Sequence, residues 1–440
     1  MTANGNMRTL IEAAALEDAD CEVWTAHRET EEAVCRLGVV ERRSDVDSGT
    51  TAVTVWQDGA EGYAVRAMAD SGDPALVATA LAVGRALPER VPAPPAPEPA
   101  PVRSARPTSR PVLDDKTLEV VRRLSEGHPG LEIELRVRAE RTTIGLHRAG
   151  GAPRGYDTGL FQLQARVTAT AGGVGFVSHQ LYGDCAAELL DRVASTDLPE
   201  VCDLAATLTG APAAELDHDD VLVTGRVMVK LLSLVVPAFQ LDTVVEGRSP
   251  LDGLIGRQVC AAGVDLIDDP GAKDNPLAAP WDDEGTPTRT TELVRDGMLC
   301  GFLGHRRSAR LAGGEHHATG SGWRGAAGEM PRVQPSHLSL RPGPALGPGP
   351  LPGRRLLRVV QANGAHTSNG ITGDFAIGAN AILEYPDGTR RNAGNITLAG
   401  NVFDLLRRLE GHDGVVRTAR SHTSFVASPG VWARGLTVGR

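Results

Sequence analysis

The amino-acid sequence predicts an α+β protein in two parts. Residues 1–215 read as an N-terminal α/β sandwich-like domain with an antiparallel sheet, and residues 216–440 as a mostly antiparallel, open barrel-like β domain with one or two packed helices. Three observations carry this expectation. The chain has 440 residues, more than one compact unit ordinarily holds. Apolar and polar residues alternate with a period of two in several long stretches, the mark of strands that bury one face. Aromatics make up only 4% while glycine (51) and proline (29) are abundant, and turn dipeptides crowd the second half, where helical periodicity is scarce.

In chain order, "CEVWTAHRE" and "TAVTVWQDGAEGYAVRA" read as strands, the second a hairpin turning at Asp58-Gly59. "DPALVATALAVGRAL" has a helical apolar face opened by Asp73. Pro88 to Pro111 holds nine prolines in 24 residues. With few backbone donors it leans towards polyproline II and reads as an exposed linker or long surface loop. A helix across "KTLEVVRRLSEG" leads to two half-buried strands, one with Leu131, Ile133, Leu135 and Val137 on a face, the next with Phe161, Leu163, Ala165, Val167 and Ala169. A helix near "AAELLDRVAS" follows.

The second half begins with a short strand "VLV" that runs into "TGRVMVKLLSLVVPAF", where Thr224 is placed to cap a helix and Pro237 to end it. Beyond lie strands separated by turns at Asp296-Gly297, "RPGPALGPGPLPG", Asn363-Gly364, Asn369-Gly370 and Pro386-Asp387-Gly388. "NVFDLLRRLEG" is the other helix.

Composition excludes several functions. A formal net charge of −10 argues against a nucleic-acid-binding surface, because duplex affinity comes from neutralising phosphates. Nowhere are there 18 consecutive apolar residues, and "MTANGNMRTLIEAAALEDAD" lacks a basic start followed by an apolar run, so a cytoplasmic protein with no membrane partner is expected. The six cysteines form no Cys-x-x-Cys pair, which disfavours a zinc ribbon or a thioredoxin-type site. Walker and dinucleotide phosphate loops and the Gly-x-Ser-x-Gly elbow are absent. None of the twelve histidines is followed by glutamate, so the chain contains no His-Glu-x-x-His or His-Glu-x-x-x-His helix.

Two clusters remain as candidates for chemistry. Asp282, Asp283 and Glu284 stand in a row just before an apparent hairpin, "TRTTELV-RDG-MLCGFL". Successive strand residues point to opposite faces, so the neighbours converge on a metal only if the backbone kinks, as Gly285 allows. The bland reading is the lead-in to a hairpin. In "GGEHHATGSG", Glu315, His316 and His317 are possible metal ligands, joined by His366 and Asp374 from another strand; adjacent histidines in a glycine-rich loop are otherwise simply solvated.

The stretch "DDEGTPTRTTELVRDGMLCGFLGHRRSARLAGG", with "SNGITGDFAIGANAILE" and "GNITLAGNVFDLLRRL" after it, resembles the carboxy-terminal domain of the TldD/PmbA family, known as modulators of DNA gyrase. Order and spacing agree from about Val221 to the end. The resemblance implies paired subunits: a TldD type, a metalloprotease whose helix carries His-Glu-x-x-x-His with a later cysteine ligand, and a PmbA or TldE type that lacks these. The family's metal helix corresponds to the stretch through Leu231 and Leu232, which puts Ser233, Leu234 and Ala238 at its ligand and base positions. None of them suits zinc, and the last cysteine is Cys300. The resemblance is thus to the PmbA type, with no cofactor in this chain and zinc in a TldD-like partner.

The leading expectation is a non-catalytic subunit that pairs with a TldD-like zinc protease and helps enclose a chamber for short or unfolded peptides. Asp283 and Glu284, with Asn369, Thr372, Asp374 and Phe375, are placed near that chamber or interface; Asp374 would accept a peptide amide hydrogen bond or simply stabilise its turn. The alternatives are an independent metal hydrolase using Glu315, His316 and His317, and a binding module that acts without proteolysis. The long Pro-rich segment and "GEHHATGSGWRG", where the family usually has a shorter link, suggest a specialised version serving one peptide or one pathway.

Overall fold

Strands from the first half pair into one antiparallel sheet. The computed structural model describes residues 3–67, 72–87, 93–94, 112–127, 129–213, 215–216, 218–314, 316–325, 327–343, 346–348, 353–363, 368–421, 424–433 and 435–439. The first half comprises α1 (Ala3–Leu16), β1 (Asp20–Arg36), β2 (Val39–Gln57), β3 (Ala60–Arg66), α2 (Ala75–Ala86), α3 (Asp115–Leu124), β4 (Leu131–Arg148), β5 (Arg154–Ala169), β6 (Gly175–Gly183), α4 (Ala186–Arg192) and α5 (Leu198–Thr207). The sheet order is β3-β2-β1-β4-β5-β6. Asp58 and Gly59 turn the β2–β3 hairpin with φ of 52° and 75°, the positive pair that matches strand twist. Most of the Pro-rich segment 88–111 lies outside the described residues.

The two faces of this sheet bury different things. Odd-numbered residues of β1, β2, β4, β5 and β6, and even-numbered residues of β3, face the helices: Cys21, Val23, Val53, Val55 and Ala64 meet Leu10, Val77 and Leu81 of α1 and α2. At the other end Ile133, Leu135, Leu163 and Val167 meet Leu118, Leu189 and Val201 of α3, α4 and α5. The even-numbered face turns to the second half of the chain, with Trp24, Ala52, Ile144 and Leu146 against Trp281, and Leu160 and Tyr182 against Phe425.

The second half comprises β7 (Asp220–Val223), α6 (Gly225–Val235), α7 (Leu241–Val245), β8 (Val264–Asp268), β9 (Thr291–Arg295), β10 (Met298–Leu299), α8 (Arg306–Ala312), β11 (Gly322–Trp323), β12 (Arg332–Val333), β13 (His337–Pro342), β14 (Gly347–Pro348), β15 (Leu356–Asn363), β16 (Asp374–Glu384), β17 (Arg390–Asn401), α9 (Val402–Arg407), β18 (Leu409–His412), β19 (Arg417–Ser421), β20 (Ser424–Ser428), β21 (Val431–Ala433) and β22 (Thr437–Gly439). They form two curved sheets, β10-β9-β8-β13-β20-β19 and β14-β18-β21-β7-β15-β16-β17-β22, with β11 and β12 paired separately. Most pairings are antiparallel, but β13 with β20, β7 with β15 and β14 with β18 run parallel. Besides α6 and α9, the short helices α7 and α8 are present, and α8 owes its start to reciprocal hydrogen bonds between His305 and Ser308.

Helix α6 is the centre of the second core. Val227, Met228, Val229, Leu231, Leu232 and Val235 are all buried, as expected of a helix apolar nearly all round. Pro237 ends it as anticipated, the chain passing into a 3-10 turn over Val236–Phe239. Thr224 is not the expected side-chain cap. Its hydroxyl donates instead to the Val359 carbonyl at 2.8 Å, tying the helix start to β15.

Gly62 on β3 lies so close to α2 that an added Cβ would stand 1.9 Å from the Ala80 carbonyl oxygen. Gly62→Ala must push helix from sheet, and a loss of roughly 1–3 kcal/mol in urea unfolding is expected. Asp268, buried at the end of β8, accepts from the Ser336 and His337 amides at 2.9 and 2.7 Å, yet burial raises its carboxyl from 3.8 to about 6. Because the folded value lies above the unfolded one, the protonated form's stabilisation is complete below the unfolded value and is lost as pH rises through about 6. The stability of Asp268→Asn relative to wild type should therefore improve by on the order of 3 kcal/mol between about pH 4 and pH 7.

Candidate functional site

Asp282, Asp283 and Glu284 are all buried, at 0, 4 and 8% exposure, rather than a plain lead-in to the β9–β10 hairpin. The kink that Gly285 permits is real: its φ is +79°, and an added Cβ would meet the Arg154 side chain at 2.4 Å. The turn closes through the Gly285 amide and the Asp282 carbonyl at 2.8 Å. Asp282 Oδ1 accepts from the Glu284 and Thr286 amides, and its Oδ2 from the Gly322 amide at 2.8 Å. Asp283 points elsewhere, accepting from the Arg324 amide at 2.8 Å and from the Trp24 indole at 2.9 Å. Glu284 accepts from the Arg306 amide at 2.7 Å.

Arg306 crosses between the two halves of the chain. Its Nη2 donates to both oxygens of Glu22 on β1 at 2.9 Å, and its Nε lies 3.6 Å from Glu284. Burial alone would lower the guanidinium's pKa, but the charges of Glu22 and Glu284 hold it above the ordinary value. Burial pushes Glu284 up, but Arg306, His305 and Arg324 and the Arg306 amide together outweigh it, so this carboxyl stays below its usual range. Asp282 is raised well above the ordinary carboxylate value by burial and by the charge on Glu284, against the opposing pull of the Gly322 and Thr286 amides. Burial raises Asp283 as well.

Above this junction lies a cleft between the even-numbered face of the first sheet and the second half. Arg324 forms part of its wall, its guanidinium 5.5 Å from the Trp24 ring and 5.3 Å from the Tyr63 ring, and it donates to the Tyr63 hydroxyl at 3.1 Å. Across the cleft Arg420 holds Glu140 with two hydrogen bonds of 3.2 and 2.8 Å. Aromatic faces, fixed guanidinium groups and the hydroxyls of Thr50, Thr142 and Thr158 line the cleft, so that it offers both apolar and hydrogen-bonding surface. Among the described residues no group of three or more His, Cys, Asp or Glu side chains converges as a metal site.

The other residues singled out in the sequence fall apart in space. Asn369, Thr372 and Asp374 build a turn: Asn369 Oδ1 accepts from the Ile371 and Thr372 amides, Thr372 donates to Asp374 at 2.7 Å, and Asn401 donates to Asp374 at 2.8 Å. The same Asn401 caps α9, so Asp374 stabilises a turn and a helix start. Phe375 is buried in the second core. Ser233 donates to the Val229 carbonyl, Leu234 packs half-buried beside Gly370, and Ala238 is fully buried. Glu315 and His366 lie outside the described residues; His316 is half-buried with its ring 6.4 Å from that of Phe302, and His317 is exposed.

The residues missed in the sequence are the partners of the triplet: Glu22, Trp24, Arg306 and Arg324. One signal was available for Glu140. It stands where the apolar positions of β4 change from odd, Leu131 to Ala139, to even, Ile144 and Leu146, and the burial pattern changes with them. Removing Arg306 leaves Glu22 and Glu284 buried without their cation, so Arg306→Met should cost ~3–5 kcal/mol in urea unfolding. A loss under about 1 kcal/mol, the size typical of exposed pairs, would show that the junction is not held by this group.

Comparison with known proteins agrees with this architecture. Residues 217–440 match the family model described as the PmbA/TldA metallopeptidase C-terminal domain. The chain is 30% identical over 197 residues to an uncharacterised protein of Methanocaldococcus jannaschii, covering 43% of this chain and 44% of that one. It is 29% identical over 178 residues to a metalloprotease of Methanothermobacter thermautotrophicus, covering 40% and 38%. These alignments span less than half the length of either relative. Two solved structures share the fold over 100% of both chains: a protein of Thermotoga maritima described as a modulator of a DNA gyrase (TM-score 0.80, 19% identity) and TldE of Thermococcus kodakarensis (TM-score 0.79, 18% identity). With its second half matched from end to end, this chain belongs to the PmbA/TldD family.

Proposed function

We propose that this chain is the non-catalytic, TldE/PmbA-like subunit of a heteromeric zinc metalloprotease that processes or degrades short or unfolded peptides. The observation that carries the reading is the end of α6. The positions that the resemblance sets against the family's zinc helix are Ser233, Leu234 and Ala238, and the α-helix stops at Val235, before the last of them. Zinc at a His-Glu-x-x-x-His site needs an imidazole at both the first and the last of these positions. Here the first offers a hydroxyl engaged by its own helix, and the last only the methyl group of Ala238, enclosed in the core. These residues do not fit zinc. Hydrolysis is accordingly assigned to a TldD-like partner, and the role of this chain to enclosing and holding the peptide.

The cleft between the first sheet and the second half supports the holding role, since its guanidinium and aromatic groups can contact an extended chain and, among the described residues, no nucleophile–base pair lines it. The fold shared with TldE is the second support.

Expressed alone, the chain should bind no stoichiometric zinc and cleave no unfolded peptide. Expressed with a paralogue that carries His-Glu-x-x-x-His, it should co-purify, and peptidase activity should appear only in the pair. Stoichiometric zinc with peptidase activity in the isolated chain would overturn the assignment.

A further inference from the structure

A second cavity, about 160 Å³, lies away from the cleft, where β6 of the first sheet meets α6, β15 and β19. Three cations line it, Arg226, Lys230 and Arg417, together with the polar Ser178, Gln180 and Thr418. Among the described residues no carboxylate lines it. The acids that balance the arginines stand behind the wall. Glu200 accepts from Arg226 at 3.2 Å and also from Arg417, and Asp197 accepts from Arg417 at 3.0 Å and from Arg192 at 3.1 Å. Asp197 is 2% exposed and is delivered there by a π-helical turn over Val193–Asp197, between α4 and α5.

The protonation of the one histidine present is fixed by its neighbours. Arg226 Nε can only donate, so His179 Nδ1, 3.2 Å away, must accept. The ring proton then sits on Nε2 and is donated to Asp197 at 3.2 Å. His179 is therefore neutral and fully engaged, and burial, the first cause acting on it, lowers its pKa in the same sense. It offers no base for catalysis. Two carboxylates face four cations, counting Arg192, which leaves the pocket with excess positive charge.

The Arg226 side chain is only 8% exposed, and its Nη2 finds no acceptor among the described residues. A buried guanidinium N–H without an acceptor costs free energy that an anion would recover. Lys230 brings a second charge to the same cavity from one turn along α6, where its Nζ donates to the Ala362 carbonyl at 2.8 Å.

We propose that this cavity binds a small oxyanion, a carboxylate or phosphate group, held by Arg226, Lys230 and Arg417 across the joint between the two halves of the chain. The site belongs to this chain alone and stands whichever partner the chain takes. Its position against α6 makes the bound anion a clamp between the first sheet and the core helix of the second half.

The test is calorimetric titration and thermal unfolding of the full chain at fixed ionic strength. Three probes are used: inorganic phosphate, an N-acetylated tripeptide with a free carboxylate, and the same tripeptide amidated. Saturable binding of phosphate assigns the site to a free anion. Binding of the free-acid peptide but not its amide assigns it to a peptide carboxy terminus. In either case Lys230→Gln, at an exposed position that leaves the arginine cluster intact, should weaken binding by about tenfold while the ligand-free protein keeps a single cooperative unfolding transition. Arg417→Gln should weaken it further. If none of the probes binds at millimolar concentration, or if both variants bind as wild type does, the proposal is wrong.

Discussion

The buried guanidinium of Arg306, between Glu22 of the first sheet and Glu284 of the second half, is the contact on which the arrangement of this chain depends. Burying three charges is costly in a medium of low dielectric constant, and hydrogen bonds to the carboxylate lone pairs are required to offset that cost, the more so as Arg306 Nε and Nη1 find no hydrogen-bond acceptor among the described residues. The triplet around Glu284 meets that requirement through backbone amides. Gly322, Arg324, Thr286 and Arg306 itself each donate an N–H to one of the three carboxylates. A run of acids that would repel one another on a surface strand becomes here a set of hydrogen-bond acceptors that pins separate loops together.

That pin matters because the first sheet buries both of its faces. A sheet covered by helices on one side normally presents the other to water. In β4 the buried set changes from odd to even residues at Ala139 and Glu140, so that one end of the strand is covered by α3, α4 and α5 and the other by the second half. The cleft opens along this second covering, walled by Trp24, Arg324 and the Glu140–Arg420 pair. The oxyanion cavity lies at another part of the same joint, where His179 and Ser178 of β6 meet α6. Both candidate binding features thus arise from a single packing decision.

Much of the fold was legible in the sequence because it depends on local rules. The alternation of Leu131 to Val137 and of Phe161 to Ala169, the positive-φ turn at Asp58-Gly59 and the stop at Pro237 each need only a few neighbouring residues to be decided. The same locality explains Asp374, whose partners Thr372 and Asn401 form a turn and a helix cap. Where a residue had a distant option, local reasoning failed. Thr224 has the chemistry of a cap, but the Val359 carbonyl, 135 residues away, takes its hydroxyl instead.

The chain's own order of residues determined the strand and turn pattern, the family resemblance of the second half, and the absence of His and Cys from the stretch Gly225–Phe239 that forms α6 and the turn after it. Tertiary structure decided what becomes of the charged groups. Whether Asp282, Asp283 and Glu284 face water or sit buried depends on Trp24 and Glu22, some 260 residues earlier, and on Arg306 and Arg324 from separate loops. The physical reason is range: a turn or an alternating strand is settled by steric and hydrophobic preferences over a few residues, whereas the free energy of a buried charge is set by whatever partners the completed fold brings within about 4 Å.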